Sequence, residues 1–240
     1  MAPASPMRLF GIPIQVAPSW FPMVGLLTFT LAHGYFPAAY AGLPAPTYWL
    51  MGTVAALLLF VCVLLHELGH SLAARRYGIP VARVVLFIFG GVAQISRSPR
   101  RPSDELVVAL AGPAVSLLLA AGCLFAARQV TGGGTAPRVA TAILHYLTIL
   151  NLGVLCFNLL PGLPLDGGRV LRALLWAWTG SLPRATRAAA VLGAGLGLGL
   201  LALGVWALTR RVWMGGLWYG CLGLFLWRAA RSSFQRSTGA

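Results

Sequence analysis

Six apolar stretches dictate what this chain can fold into: residues 19–37, 49–76, 104–128, 139–161, 187–208 and 212–230. Each approaches or exceeds the roughly 20 residues a helix needs to cross the hydrocarbon of a bilayer. Backbone N–H and C=O groups find no water at that depth, so such stretches must satisfy their hydrogen bonds internally, as helices. Only 9% of the 240 residues are charged and 58% are hydrophobic, with a mean hydropathy of +0.81. Soluble domains carry about 25% charged residues. The expected class is an all-α polytopic membrane protein with about six transmembrane helices.

The 18 basic residues are all arginine and raise the formal charge to +14. In a soluble protein that excess suggests nucleic acid. Here the arginines fall mostly between apolar stretches and no basic segment is interleaved with aromatics, so membrane topology explains them and no nucleic-acid partner is expected. With the N-terminus inside, only Arg128, Arg138, Arg210 and Arg211 fall outside. This positive-inside bias predicts a multi-pass cell-membrane protein with both termini cytoplasmic. The start of the chain lacks the pattern of a cleavable signal, so the first stretch is expected to stay in place. Residues 1–18 read as a cytoplasmic segment and 19–230 as the membrane core. Residues 231–240 read as a cytoplasmic tail, which could equally mark where a longer chain was cut before a regulatory domain. Cys62, Cys123, Cys156 and Cys221 lie in apolar runs without a Cys-x-x-Cys pair and are expected to be buried thiols.

Between the second and third stretches, "ARVVLFIFGGVAQISRSP" (82–99) is too short for a crossing. Its β-branched residues around Gly90-Gly91 predict a hairpin on the cytoplasmic side. Such a hairpin should dip into a protein-lined part of the membrane or lie against a subunit surface; the re-entrant placement is preferred, because its edge then adjoins the polar site. Ser103 is a plausible cap for the third helix, with Asp104 and Glu105 complementing its positive end.

The costliest residues in the second stretch are His66, Glu67 and His70. On a helix the two histidines, four apart, share a face and the glutamate lies at its edge. In the His-Glu-x-x-His pattern two imidazoles bind Zn²⁺ and the carboxylate activates water. A catalytic zinc takes three protein ligands and keeps one position open. His145 and Asp166 compete for third place. The 21 residues between them would span about 30 Å as a helix, which separates their depths despite the breaks at Pro161, Gly162 and Pro164. Asp166 matches the inward placement of the histidine pair and is the expected ligand. His145 reads as a polar contact between helices and His33 as an interfacial residue. Gly167 and Gly168 let the chain turn closely before a helix beginning near Arg169. Asn151 and Asn158 share one face and are candidates for orienting a peptide, or for helix–helix hydrogen bonds.

His66-Glu67-Leu68-Gly69-His70, Phe89-Gly90-Gly91, Ala111-Gly112-Pro113 and the run from Asn158 through Pro161, Pro164 and Asp166 to Arg169 together resemble the site-2 protease family of intramembrane zinc metalloproteases. The chain is similar to the compact bacterial and archaeal group that includes the sporulation-factor-processing proteases. The resemblance implies one Zn²⁺ per chain on His66, His70 and Asp166, with Glu67 as base. It implies a substrate strand presented by Phe89, Gly90, Gly91 and Val92, and a substrate contact at Asn158, with Asn151 a less secure match. The implied partners are the lipid bilayer and single-span or hairpin membrane substrates, often cut first by an upstream site-1-type protease. Neither membrane loop has room for a PDZ domain. A metal transporter using the same ligands is the rival reading, weakened because Glu67 stands beside the ligand pair without belonging to it.

Overall fold

The computed structural model describes residues 7–97 and 99–238, with side chains through Gln235. The chain divides into two compact units, residues 1–97 with 114–155 and residues 98–113 with 156–240. Helices α1 (Trp20–Thr30), α2 (Phe36–Ala39) and α3 (Ala45–Arg76) belong to the first, with a π-helical turn, Leu31–Tyr35, joining α1 to α2. Helices α6 (Asp166–Thr179), α7 (Leu182–Thr209) and α8 (Trp213–Thr238) belong to the second. Helices α4 (Pro102–Gln129) and α5 (Thr135–Asn158) contribute residues to both.

Among the described residues, α3, α4, α5 and α7 are long and apolar enough to cross a membrane. The first and last expected crossings are helical but differ in kind. The first is interrupted by the π-helical turn, leaving 11 residues of regular α1. In α8, four glycines together with Trp213, Trp218, Tyr219 and Trp227 dilute the aliphatic content. The short α6 lies outside all six apolar stretches and is amphipathic. Helices α7 and α8 form the tight hairpin that their three-residue connection requires. Their backbones touch where a Cβ on Gly197 would lie 2.6 Å from the Trp227 nitrogen.

In the first unit, Met51, Ala55 and Leu59 of α3 pack with Phe36 and with Ala142, Ile143 and Tyr146 of α5 in one buried cluster. The cysteines are free, as expected, but only Cys62 is buried; Cys156 and Cys221 are exposed.

The hairpin is present as β3 (Val81–Phe87) and β4 (Gly90–Ile95), paired antiparallel with Val85 opposite Val92. It does not stand alone. The N-terminal segment adds β1 (Arg8–Leu9) and β2 (Ile12–Val16), giving the order β1-β2-β3-β4, with β2 parallel to β3. Alternation explains the addition. Ile12 and Ile14 face inward with Val84 and with Leu68 of α3 in a buried cluster. Across the sheet, the Arg83 guanidinium donates to Gln94 Oε1 at 2.7 Å and to Gln15 Oε1 at 2.9 Å, linking β2, β3 and β4. The sheet therefore rests on the half of α3 that carries the histidine pair, and β4 forms its open edge.

Candidate metal centre

Helix α3 delivers His66 and His70 to one face, and both are buried. Their Nε2 atoms converge to 3.1 Å. Zinc–nitrogen bonds of about 2.0–2.1 Å in a tetrahedral site place neighbouring ligand atoms about 3.3 Å apart, so the pair already has the spacing of two ligands. Asp166, the first residue of α6, is buried too. One ligand atom from each of His66, His70 and Asp166 lies within 4.8 Å of the others. Two imidazoles and a carboxylate are a donor set suited to Zn²⁺, and three protein ligands leave a fourth position open.

His66 Nδ1 lies 2.9 Å from the hydroxyl of Ser116, which is 1% exposed. For Nε2 to serve a metal, Nδ1 must carry the ring proton, and Ser116 Oγ then accepts it. The sequence reading missed this residue. Its one signal is a lone hydroxyl in the apolar run of α4, three positions after Pro113. Outer-shell partners of metal-bound histidines contribute about 10–100-fold to metal affinity. Ser116→Ala should therefore weaken zinc retention by about that factor in a competitive chelator titration, while circular dichroism reports unchanged helix content.

Glu67 is half-buried and engages the sheet. The Ala93 amide on β4 donates to its Oε2 at 2.9 Å. Gly91 makes the approach possible, because a Cβ there would stand 2.6 Å from Glu67 Cγ. Along an antiparallel strand, successive amides alternate between partner and open edge. With the Ala93 N–H turned outward, that of Val92 faces Val85 on β3. The Val92 side chain is exposed, while Phe89, Gly90 and Gly91 are partly buried.

Asn151 is buried, donates from Nδ2 to the Leu147 carbonyl at 2.8 Å and shares a hydrogen bond with the Cys62 thiol. Asn158 ends α5 and is half-buried. His145 stands apart from the ligand group. Its Nδ1 meets the Tyr40 hydroxyl at 3.2 Å beside a cavity of about 390 Å³. His33 is exposed and stacks on Phe29.

The segment preceding Asp166 is held by backbone contact. A Cβ on Gly167 would lie 2.2 Å from the Leu159 carbonyl oxygen, and one on Gly168 2.2 Å from the Gly162 carbonyl carbon. The Leu163 amide donates to the Ala189 carbonyl of α7 at 3.0 Å. The two glycines thus sit inside the first turn of α6, which begins at Asp166 rather than near Arg169. They admit the chain's own loop. Glu105 also departs from its expected role at the start of α4: it is 1% exposed and ion-paired with Arg172 of α6.

Residues 54–134 and 127–202 match the model of Peptidase family M50. The chain belongs to peptidase family M50. It is 41% identical over 229 residues to the Synechocystis sp. protein sll0528, covering 95% of this chain and 59% of that relative. It is 38% identical over 230 residues to Rip3 of Mycobacterium tuberculosis, covering 95% and 58%. The chain thus spans about three fifths of the length of these M50 relatives. Among solved structures, a site-2 protease from Methanocaldococcus jannaschii superposes with a TM-score of 0.63 at 27% identity, covering 95% of this chain and 93% of that one. The site-2 protease resemblance is thereby upheld, and the buried His66–His70–Asp166 group is one that could hold a single metal ion, as the zinc chemistry of this family requires.

Proposed function

We propose that this chain is the membrane-embedded catalytic core of a zinc-dependent endopeptidase that cuts peptide bonds in or near transmembrane segments of single-span or hairpin substrates. The observation that carries the proposal is Glu67 beside a buried two-histidine, one-aspartate ligand group, bonded to the amide of Ala93 on an open strand edge. His66, His70 and Asp166 would hold one Zn²⁺ per chain. When bound, the metal supplies Lewis acidity that polarises a carbonyl and makes water acidic at neutral pH.

The chain's own residues do the rest. Glu67 accepts the proton of the attacking water and returns it to the departing amide nitrogen. A helical substrate hides its carbonyls in i to i−4 hydrogen bonds and must unwind first, so Gly, Pro or Asn near the scissile bond should favour cutting. The open edge of β4 replaces those lost bonds by strand addition. Phe89, Gly90, Gly91 and Val92 line that strand, and Asn158 is proposed to orient the peptide. Asn151, whose Nδ2 donates to Leu147, would join it through its amide oxygen. The arginine distribution supports a cell-membrane location with both termini and the site toward the cytoplasm, and with the β3–β4 hairpin re-entrant. A proteolytic step upstream, of site-1 type, would supply trimmed substrates.

The test is cleavage of a panel of single-span substrates by the full chain reconstituted in liposomes. A wild type that holds zinc but cuts none of them, and instead moves zinc across sealed liposomes, would replace the protease with a transporter. Strand addition has its own test. Ala93→Pro removes the outward donor that holds Glu67 and so tests how the strand positions the base, whereas Val92→Pro would break the hairpin's own ladder; the strand contact itself is read by crosslinking. A hydrogen bond to a charged group contributes about 1.5–3 kcal/mol. Ala93→Pro should accordingly lower cleavage by roughly 10–100-fold with zinc retained. Crosslinking that finds no substrate along residues 87–93 would refute the strand model.

A further inference from the structure

Glu105 is one of four acidic residues in the chain and is 1% exposed. A buried carboxylate is costly unless paired. Its partner is Arg172 of α6, which donates to the same Glu105 oxygen from Nε at 2.7 Å and from Nη2. Replacing such a pair by well-packed apolar side chains is often neutral or stabilising, so stability alone is a weak reason for it. What an ion pair with a planar fork imposes is geometry.

That geometry acts on α6, and α6 begins with Asp166. Arg172 stands six residues after Asp166, about 9 Å along the helix axis. Beyond its first turn α6 buries Ala173 and packs Leu171 against Leu163, Ala189 and Ala190, an apolar contact without directional bonds, while Leu174 is 53% and Trp178 83% exposed. The loop contacts at Gly167 and Gly168 hold the first turn close but impose no directional bond on the rest of the helix. The guanidinium–carboxylate pair does. A metal ligand must be held within about 0.5 Å and 10–20° of its working geometry. Rotation of α6 about its axis would carry the Asp166 carboxylate outside that tolerance.

We infer that Glu105 and Arg172 are a positioning pair that fixes the rotation of α6 and thereby aims Asp166 at the metal. The inference rests on the zinc reading of His66, His70 and Asp166.

The experiment compares the purified 240-residue chain with Glu105→Gln and with the apolar pair Glu105→Leu/Arg172→Met. Thermal unfolding, zinc affinity against a competing chelator, and the visible spectrum of the Co²⁺-substituted protein are measured for each. Glu105→Gln should lower zinc affinity about tenfold or more, the low end for groups that orient metal ligands. The apolar pair should unfold at or above the wild-type temperature, yet keep the weakened affinity and an altered Co²⁺ spectrum. Apolar-pair protein with wild-type affinity and spectrum would overturn the inference, since packing alone would then suffice. A wild type that binds neither zinc nor Co²⁺ would overturn the zinc reading and the inference together. Wild-type binding matched by both variants would overturn the inference alone.

Discussion

Glu67→Gln should leave zinc in place and lower cleavage by about 10²–10⁴-fold, the range a positioned general acid–base contributes. The substitution keeps the side chain's length and its contact with Gly91, and the amide oxygen still accepts from the Ala93 N–H. Only the capacity to take a proton is removed. Because the proposed ligands are His66, His70 and Asp166, metal content measured by inorganic mass spectrometry should match wild type. Cleavage is then followed with equal metal in both proteins, as conversion of an intact membrane substrate into two fragments. Equal rates would remove Glu67 as the base. A variant that lost zinc along with activity would instead make Glu67 part of the metal site. The inactive variant should also retain uncut substrate, so crosslinking it would map the cleavage region without turnover.

How much was legible beforehand depended on whether the cause was local. Apolar runs of spanning length reveal their helices because the bilayer leaves no alternative. His66 and His70 reveal themselves because four-residue spacing is one helical turn. Asp166 was reachable by its depth relative to His145. Strand β2 was not legible, since five residues containing Pro13 make a weak strand signal and its inward isoleucines matter only against Val84 and Leu68. Ser116 was equally hidden: a hydroxyl in an apolar helix has a role only once His66 is beside it. Glu105 misled for the opposite reason. An acidic residue in the first turn of α4 satisfies a local rule, the helix dipole, and that rule gave no hint of Arg172, 67 positions away. Gly167 and Gly168 were correctly tied to close approach, but the approaching atoms are the chain's own Leu159 and Gly162 carbonyl groups.

Asp166→Ala should abolish stable zinc binding, an effect larger than that of any outer contact. Removing one of three protein ligands leaves His66 and His70, which alone do not complete the three-ligand set of a catalytic zinc. The loss should exceed the roughly 10–100-fold expected for Ser116→Ala, because that change removes only the group that orients a ligand. Folding should survive. Asp166 occupies the first position of α6, whose entry is held by the Gly167 and Gly168 contacts and by the Leu163–Ala189 hydrogen bond, none of which needs the carboxylate. His145→Ala is the control, since it removes an imidazole engaged with Tyr40 and should leave zinc content unchanged. The measurement is metal per chain after dialysis against graded chelator, with wild type retaining about one zinc where Asp166→Ala retains none. Retention in Asp166→Ala with loss in His145→Ala would transfer the third ligand to His145. Asp166→Asn separates charge from position: an amide oxygen in the same place is a weaker donor to Zn²⁺, so intermediate retention is expected. Full retention in Asp166→Asn would mean that the carboxylate's charge contributes little to holding the metal.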